Sequence, residues 1–222
     1  MTLGQMHSSL STRLEDIGNS VFSNADKNNA IGSAQRTIAS ILDVAYLKEL
    51  ETKSTNIATS PSSVSGMVEV DLHSEGIIPF GNKLTLIQVP SLSVKSHKGI
   101  CKLVGLEFID QERNSYISSD QEEMMAIHFG KKLYLSSGNI TLKPDRCHIT
   151  YILDPDSITD YTDESSSVPL LSSLHRLVLD IAEAELWHKD KKPERSSSAY
   201  IKAHTTLKTL NDRLADDYRE VV

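Results

Sequence analysis

The sequence predicts an α+β protein in which a helical bundle contains an inserted antiparallel β domain. In both terminal segments apolar residues recur at spacings of three and four, which is the period of a half-buried helix. The middle of the chain alternates with period two and contains serine-rich turns, as β-strands do. Because each terminal helix pair must bury an apolar stripe, we expect the two pairs to pack together. The predicted parts are a bundle from residues 1–50 and 160–215, a β insert from 51–159, and a C-terminal tail from 216–222.

Four apolar stripes define the predicted helices, and each stripe lies on one helical face. The residues that begin and end helices agree with them. Ser23 is placed to cap the second helix, Pro169 to begin the third, Pro193 to precede the fourth, and Gly18 to end the first. The stripes are Leu3, Met6, Leu10, Leu14 and Ile17; Ile31, Ala34, Ile38, Ile41 and Ala45; Leu170, Leu174, Leu177, Ile181 and Ala184; and Tyr200, Ala203, Leu207, Leu210 and Leu214.

The predicted strands of the middle segment pair antiparallel, because no crossover helix separates them. Residues 67–72 and 83–89 alternate between apolar and polar side chains, and residues 148–153 form a further strand before Asp154-Pro155. Residues 132–135 and 140–142 flank the sequence Ser-Ser-Gly-Asn, which predicts a hairpin between them.

Two segments of the middle are less regular. Residues 54–65 are rich in serine and threonine and predict either a loop or an irregular edge strand. Residues 107–116 predict a short helix between strands.

Composition limits the class of protein. A chain of 222 residues with 39% hydrophobic residues holds one large domain or two small ones, and its lean core favours stabilisation by neighbouring subunits. The net charge of −7 disfavours tight non-specific binding of nucleic acid. The sequence has no run of apolar residues long enough for a membrane span, and its N-terminal residues do not have the pattern of a signal peptide.

No motif predicts a catalytic, cofactor-binding or metal-ligating residue. The eight histidines show no recognised zinc spacing, and no phosphate-binding glycine loop or nucleophile elbow occurs. An acidic run lacks the glycine and the bidentate glutamate of a calcium loop, so it favours a solvated linker over a cation site. The run consists of Asp154, Asp156, Asp160, Asp163 and Glu164. Cys101 and Cys147 are expected to be small buried residues in a reducing compartment, and a disulfide between them stays open.

A charged turn is predicted between the last two helices. It consists of Lys189, Lys191, Lys192 and Arg195. Such a cluster is most often a solvated turn, and the alternatives are contact with an acidic partner or with a DNA phosphate. Trp187 lies beside the third apolar stripe and is expected to anchor the core or an interface.

Several short sequence motifs follow one another along nearly the whole chain. They are Thr2-Leu3-Gly4-Gln5-Met6 with Arg13-Leu14-Glu15-Asp16; Phe22-Ser23-Asn24-Ala25-Asp26 with Asn29-Ala30-Ile31 and Thr37-Ile38-Ala39; Gly130-Lys131-Lys132-Leu133-Tyr134-Leu135; Ile149-Thr150-Tyr151 with Asp154-Pro155; and Val168-Pro169 with Leu174-His175-Arg176-Leu177. In this order and spacing they resemble the head-to-tail adaptor (connector) proteins of tailed bacteriophages. Residues 76–96 depart from the Leu-Pro-x-x-Phe pattern of that family, of which Ile78-Pro79-Phe80 is the nearest equivalent.

The resemblance implies a structural virion protein, assembled in the host cytoplasm, rather than an enzyme. Such adaptors form homo-oligomeric rings of twelve copies, dock under the portal protein, extend the DNA channel and provide the platform for tail proteins. Viral DNA would pass through the lumen without specific binding, and no cofactor or membrane is implied. By this resemblance the portal-binding candidates are Tyr218, Arg219, Val221 and Val222, in a tail whose composition suits an edge strand added to a partner.

Two other classes remain as alternatives. A tail terminator or tail-completion protein would share the insert architecture but form a ring of six copies. An enzyme would need a histidine–carboxylate pair that comes together only in three dimensions, and no sequence signal marks one.

Overall fold

A computed structural model describes residues 1–64, 66–94, 116–119, 122–137 and 142–220. Within these residues the protein has five α-helices and two antiparallel sheets, so the predicted α+β class is confirmed. The chain divides into two compact units, called here the helical unit (Met1–Leu50 with Asp154–Val222) and the β unit (Glu51–Leu153). No helix in the described part of the chain is both long and apolar enough to cross a membrane.

The helical unit contains all five α-helices. They are α1 (Leu3–Arg13), α2 (Asn24–Ile41), α3 (Pro155–Ile158), α4 (His175–Lys189) and α5 (Pro193–Glu220). Ser23 caps α2 as predicted, in a capping box with Asp26, and Pro193 opens α5. The prediction that Pro169 begins a helix is wrong, because a 3-10 turn (Ser172–Leu174) comes first and α4 starts at His175.

The end of α1 also differs from the prediction. Gly18 does not end the helix, which stops at Arg13 in a Schellman-type turn. Glu15 takes the left-handed conformation there, with φ 57°, and its N–H donates to the Thr12 carbonyl over 3.3 Å. The Asp16 N–H donates to the Ser11 carbonyl over 2.9 Å. Ile17 therefore lies outside the helix and is 83% exposed, so its assignment to the apolar stripe was wrong.

The apolar stripes form the core of the helical unit. Helix α4 packs against α1, α2 and α5, and its stripe is buried, as predicted. Ala203 and Leu207 are buried on α5, whereas Tyr200, predicted to lie on the same stripe, is 47% exposed. The buried stripe residues are Leu3, Met6, Leu10, Leu14, Ile31, Ala34, Ile38, Leu170, Leu174, Leu177, Ile181, Ala184, Ala203 and Leu207.

The β unit contains two sheets whose described pairings are all antiparallel. One has three strands in the order β1-β8-β4, and the other has five in the order β2-β3-β7-β6-β5. The strands are β1 (Glu51–Ala58), β2 (Ser60–Pro61), β3 (Met67–Asp71), β4 (Leu84–Val94), β5 (Tyr116–Ser119), β6 (Glu122–Phe129), β7 (Lys132–Ser137) and β8 (Leu142–Ile152). Strands β3, β4 and β8 confirm the three alternating segments predicted from the sequence. Residues from both sheets, among them Val68, Leu133 and Ile149, share one buried core.

The predicted hairpin between β7 and β8 is wrong. Strand β7 pairs with β3 and β6, and β8 pairs with β1 and β4. The hairpin lies instead between β6 and β7, where Phe129 pairs with Lys132 across a two-residue turn and Gly130 has φ 61°. A positive φ of this kind is easily adopted by glycine, so Gly130 suits the tighter turn. Residues 138–141 lie outside the described residues.

The two irregular segments have different outcomes. Of the alternatives for residues 54–65, the irregular edge is correct where the structure describes them. β1 is an edge strand whose register shifts between Ser54 and Ile57, and Asn56 has φ 58° there. The short helix expected at residues 107–116 lies outside the described residues except for Tyr116, which begins β5.

One of the two cysteines can be placed. Cys147 on β8 is a buried free thiol, as expected, and burial raises its pKa to about 12. At neutral pH it is therefore held in the protonated, unreactive form. Cys101 lies outside the described residues.

Candidate interaction surfaces

The charged turn is organised around Trp187 rather than left free in solvent. Trp187 is buried and packs edge-on against Phe22, with ring centroids 6.4 Å apart. Lys192 Nζ and the Arg195 guanidinium carbon each lie 4.8 Å from the centroid of the Trp187 ring. Both distances are in the range of a cation–π interaction. Of its two expected roles, Trp187 therefore takes that of a core anchor.

Ion pairs within the helical unit use two of the four cations. Lys189 pairs closely with Asp26 in the capping box of α2, and Lys192 pairs with Asp190 over 2.7 Å. Lys191 takes the left-handed conformation, with φ 56°, and is exposed. Among the residues that the structure describes, Lys191 and Arg195 form no ion pair, so these two cations are available to a partner.

The connection between α1 and α2, residues 14–23, is called here the α1–α2 loop. Its conformation depends on a buried carboxylate. Asp16 accepts hydrogen bonds from the N–H groups of Ser20, Val21 and Phe22, over 2.7, 3.2 and 2.9 Å. The Ser20 hydroxyl donates to it as well, over 3.0 Å. These donors, with the Phe22 N–H making the largest contribution, lower the pKa of Asp16 to about 2.

A buried lysine holds the same loop from the side of α2. Lys27 is completely buried, and its Nζ donates to Ser11 Oγ over 2.7 Å and to Asn19 Oδ1 in a close contact. Burial lowers the pKa of Lys27, and the charge of Asp16 acts in the opposite direction. Sequence reasoning missed this residue. The available signal was its place at spacing four before Ile31, on the apolar stripe of α2.

The α1–α2 loop nevertheless exposes two apolar side chains. Ile17 and Val21 are 83% and 58% exposed, whereas Phe22 on the same loop is buried. Exposed single apolar residues are common, but here both lie on a segment held by Asp16 and Lys27. The loop therefore presents these two side chains in a defined conformation.

A second polar cluster joins α2 to the segment around α3. Arg36 donates to both oxygens of Asp154, from Nε over 3.2 Å and from an Nη atom over 3.1 Å, and pairs with Asp156 over 2.9 Å. The Tyr161 hydroxyl donates to Asp156 over 2.7 Å, and the Gln35 amide donates to that hydroxyl over 3.2 Å. Burial and the neighbouring Asp156 carboxylate raise the pKa of Tyr161.

This cluster corrects the expectation of a solvated acidic linker. Asp154 and Asp156 are bound to Arg36, and only the later carboxylates behave as expected. Asp160 and Asp163 are exposed and bind the hydroxyls and N–H groups of Thr162 and Ser165 within their own turns. Asp154 also caps α3. The first half of the acidic run therefore fastens helices together, and the second half only shapes a turn.

Gly32 makes the second cluster sterically possible. A Cβ atom at this position would lie 2.7 Å from the Tyr161 hydroxyl and 2.8 Å from a carboxylate oxygen of Asp156. Beside the cluster is an open cavity of about 410 Å³, lined in part by Asn28, Ser33 and Arg36. The Asp156 carboxylate beside this cavity is already paired with Arg36 and the Tyr161 hydroxyl. The arrangement therefore suits holding helices together better than acid–base chemistry. In the described ranges, no group of three or more His, Cys, Asp or Glu residues is arranged to hold a metal ion.

The predicted portal-binding residues lie at the end of α5. The helix continues to Glu220, so Tyr218 and Arg219 are helical and do not form the extended segment that was expected. Val221 and Val222 lie outside the described residues. Any contact made by Tyr218 or Arg219 would therefore begin from a helix.

Comparison with known proteins does not add a family assignment. A scan against protein-family models and a search of curated proteins both found no match to this chain.

Proposed function

We propose that this chain is a structural virion subunit that assembles into a ring and serves as a head-to-tail adaptor. In this role it docks under the portal, extends the DNA channel and provides the platform for the tail. The proposal includes the finer architecture, in which α1, α2, α4 and α5 form a bundle and residues 51–159 form an inserted β domain. The observation that carries it is the resemblance of ordered motifs along nearly the whole chain to such adaptors.

Two further observations support the proposal, one from the structure and one from the sequence. Both ends of the chain lie in the helical unit and the middle lies in the β unit, as an insert architecture requires. The net charge of −7 suits a channel protein, because an acidic wall repels the DNA backbone and lets it slide past.

The ion pairs of the charged turn limit which of its cations can contact a partner. Lys189 and Lys192 form ion pairs inside the helical unit. The proposed contact with an acidic partner or a DNA phosphate is therefore assigned to Lys191 and Arg195. Portal docking is assigned to the end of the chain, at Tyr218, Arg219, Val221 and Val222. Twelve weak contacts of this kind would add through avidity in a ring, so each single contact need not be strong.

Native mass spectrometry of the purified chain, with and without portal-bearing heads, tests the ring. A ring of twelve copies is expected, and a ring of six would favour the tail terminator instead. A strict monomer in both conditions would overturn the proposal. So would catalytic turnover that disappears when a single histidine or aspartate is substituted.

Portal docking is tested by replacing Tyr218, Val221 and Val222 with serine. We expect the variant to fold and form rings but to bind portal-bearing heads more weakly. A triple serine variant at Thr205, Thr206 and Thr209, on the exposed side of α5, is the matched control. Unchanged head binding by the first variant would remove the assignment of these residues.

A further inference from the structure

Backbone hydrogen bonds hold the first residues of the chain in antiparallel pairing with the connection that precedes α4. The Leu3 N–H donates to the Ser166 carbonyl over 2.8 Å, and the Val168 N–H donates to the Met1 carbonyl over 3.3 Å. Residues 1–4 are called here the N-terminal segment. Because the Val168 bond ends on Met1, it is present only while the beginning of this segment is attached.

His175, the first residue of α4, completes the attachment with its side chain. It is 6% exposed, and its two ring nitrogens have different partners. Nε2 lies 2.9 Å from the Leu170 carbonyl oxygen, and Nδ1 lies 2.5 Å from the nitrogen of Met1. A carbonyl oxygen can only accept, so Nε2 carries the hydrogen of the neutral ring and Nδ1 is the acceptor. The bond to Met1 therefore requires a neutral His175 in this tautomer.

A second hydrogen on the His175 ring would remove the acceptor that Met1 needs. Both ring nitrogens of an imidazolium are donors. The Met1 nitrogen is also a donor, whether it is an ammonium or a peptide N–H. Protonation would therefore place two donors against each other inside a nearly buried site, and with an ammonium it would also bring two positive charges together.

No carboxylate compensates for this conflict among the residues that the structure describes. Burial lowers the pKa of His175 below its ordinary value of 6.5, the charge of the Met1 ammonium acts in the same direction, and the carbonyls of Leu170 and Val168 act against both. Three carboxylates of α4 are bound to partners on α1, α2 and α5. The pairs are Asp180 with Arg13 and Lys202, Glu183 with Arg13, and Glu185 with Ser33.

From this geometry we propose that His175 is a pH-sensitive latch, whose neutral ring holds the N-terminal segment and whose protonation releases Met1. The latch goes beyond the proposed virion role and does not depend on it. Its sign follows from the lowered pKa, because the released histidine binds a proton more tightly than the latched one. The latched state is therefore fully stabilised above the ordinary pKa of 6.5, and it loses stability as the pH falls below that value.

Amide hydrogen exchange of Val168 measures the latch, because this N–H bonds to Met1. After correction for the intrinsic effect of pH on exchange, its protection factor is expected to fall by up to about tenfold between about pH 7.5 and 5.5. The limit is set by the released histidine, which is protonated about ten times more often than neutral one unit below its pKa. The Leu42 N–H, which donates to the Ile38 carbonyl over 2.9 Å, is the internal control and should keep its protection.

A variant assigns the pH dependence to this histidine. His175→Gln retains a donor and an acceptor but does not titrate in this range, so its Val168 protection should no longer depend on pH. His188→Gln, at an exposed histidine in the last turn of α4, is the matched control and should behave as the wild type. An equal loss of protection in His175→Gln, or unchanged protection in the wild type, would overturn the proposal.

A nuclear magnetic resonance titration of the wild-type His175 ring supplies a test that needs no substitution. The ring is expected to titrate below its ordinary pKa, over the same pH range in which Val168 loses protection. A ring that titrates at or above the ordinary value, or protection that falls where the ring does not titrate, would contradict the latch. Neither result depends on whether the chain forms a ring, so the proposed function is tested separately.

Discussion

The α1–α2 loop and the charged turn, which links α4 to α5, both connect helices of the helical unit, and the Phe22–Trp187 ring pair lies beside both. They are nevertheless held in different ways. The loop uses a buried cation and a nearly buried anion, Lys27 and Asp16, each with several hydrogen-bond partners. The turn uses largely solvated cations that rest on an aromatic face or pair with Asp26 and Asp190. Because exposed ion pairs contribute little to stability and buried charges weigh more, we expect the burial of each charged group, and not the number of charges, to set its effect on stability.

The largest effect is expected from Lys27→Ala. Removing this ammonium takes away a donor to Ser11 and Asn19, opens a cavity and removes the cation whose charge acts on Asp16. Loss of a hydrogen-bond partner at a buried site typically lowers the free energy of unfolding by about 1–3 kcal/mol, and the cavity left by the side chain adds to this loss. Chemical denaturation measures it, and a loss below about 1 kcal/mol would show that the loop does not depend on Lys27.

Acid is expected to loosen the loop more than it affects the turn, because the Asp16 carboxylate holds three N–H groups of the loop. Asp16 has a folded-state pKa of about 2, below its ordinary value of 3.8. A depressed carboxyl pKa stabilises the fold above the ordinary value, and that stabilisation is lost as the pH falls from about 3.8 towards 2. The near-ultraviolet signal of Trp187, the only tryptophan, reports the change through its contact with Phe22.

Two variants assign this acid transition. Asp16→Asn should produce the loosened signal already at neutral pH. Asp26→Asn is the control, because Asp26 also has a pKa of about 2, held there mainly by Lys189 at the turn. If Asp26→Asn abolishes the Trp187 transition and Asp16→Asn does not, the turn rather than the loop is the acid-sensitive connection.

At the turn, Arg195→Ala should have a modest effect. It removes one cation from the Trp187 face, and cation–π contacts at exposed sites are worth about 0.5–1 kcal/mol. Thermal unfolding of Arg195→Ala measures it, with Arg195→Lys as the variant that keeps a cation. A loss as large as that of Lys27→Ala would erase the contrast between the two connections.

The smallest effect is expected from Lys189→Ala. Its side chain is 62% exposed, so water screens its attraction to Asp26 and replaces the lost hydrogen bond. Unfolding free energies of this variant and the wild type should agree within error. High salt should leave their difference unchanged, and a salt-dependent loss would show that the pair does contribute.

Local rules account for the parts of this fold that the sequence alone predicted. The three-and-four spacing located the buried residues of the main helices, and single residues such as Ser23 and Pro193 marked helix starts because their effects act within one turn. The alternation at residues 67–72, 83–89 and 148–153 located strands for the same reason. Ile17 is the exception. The stripe continued through it, but the turn at Glu15 ended the helix first.

Contacts between distant residues were decided only by the tertiary structure. Alternation says that a segment is a strand but does not identify its partner, so β7 was assigned to β8 and pairs instead with β3 and β6. Lysine is rarely buried. No feature of the sequence around Lys27 indicated that Ser11 and Asn19 would accept hydrogen bonds from its ammonium group. Arg36 reaches Asp154 and Asp156 across more than a hundred residues. Which charges are buried, and with what partners, follows from packing, because the dielectric surroundings of a charge are set by the whole fold.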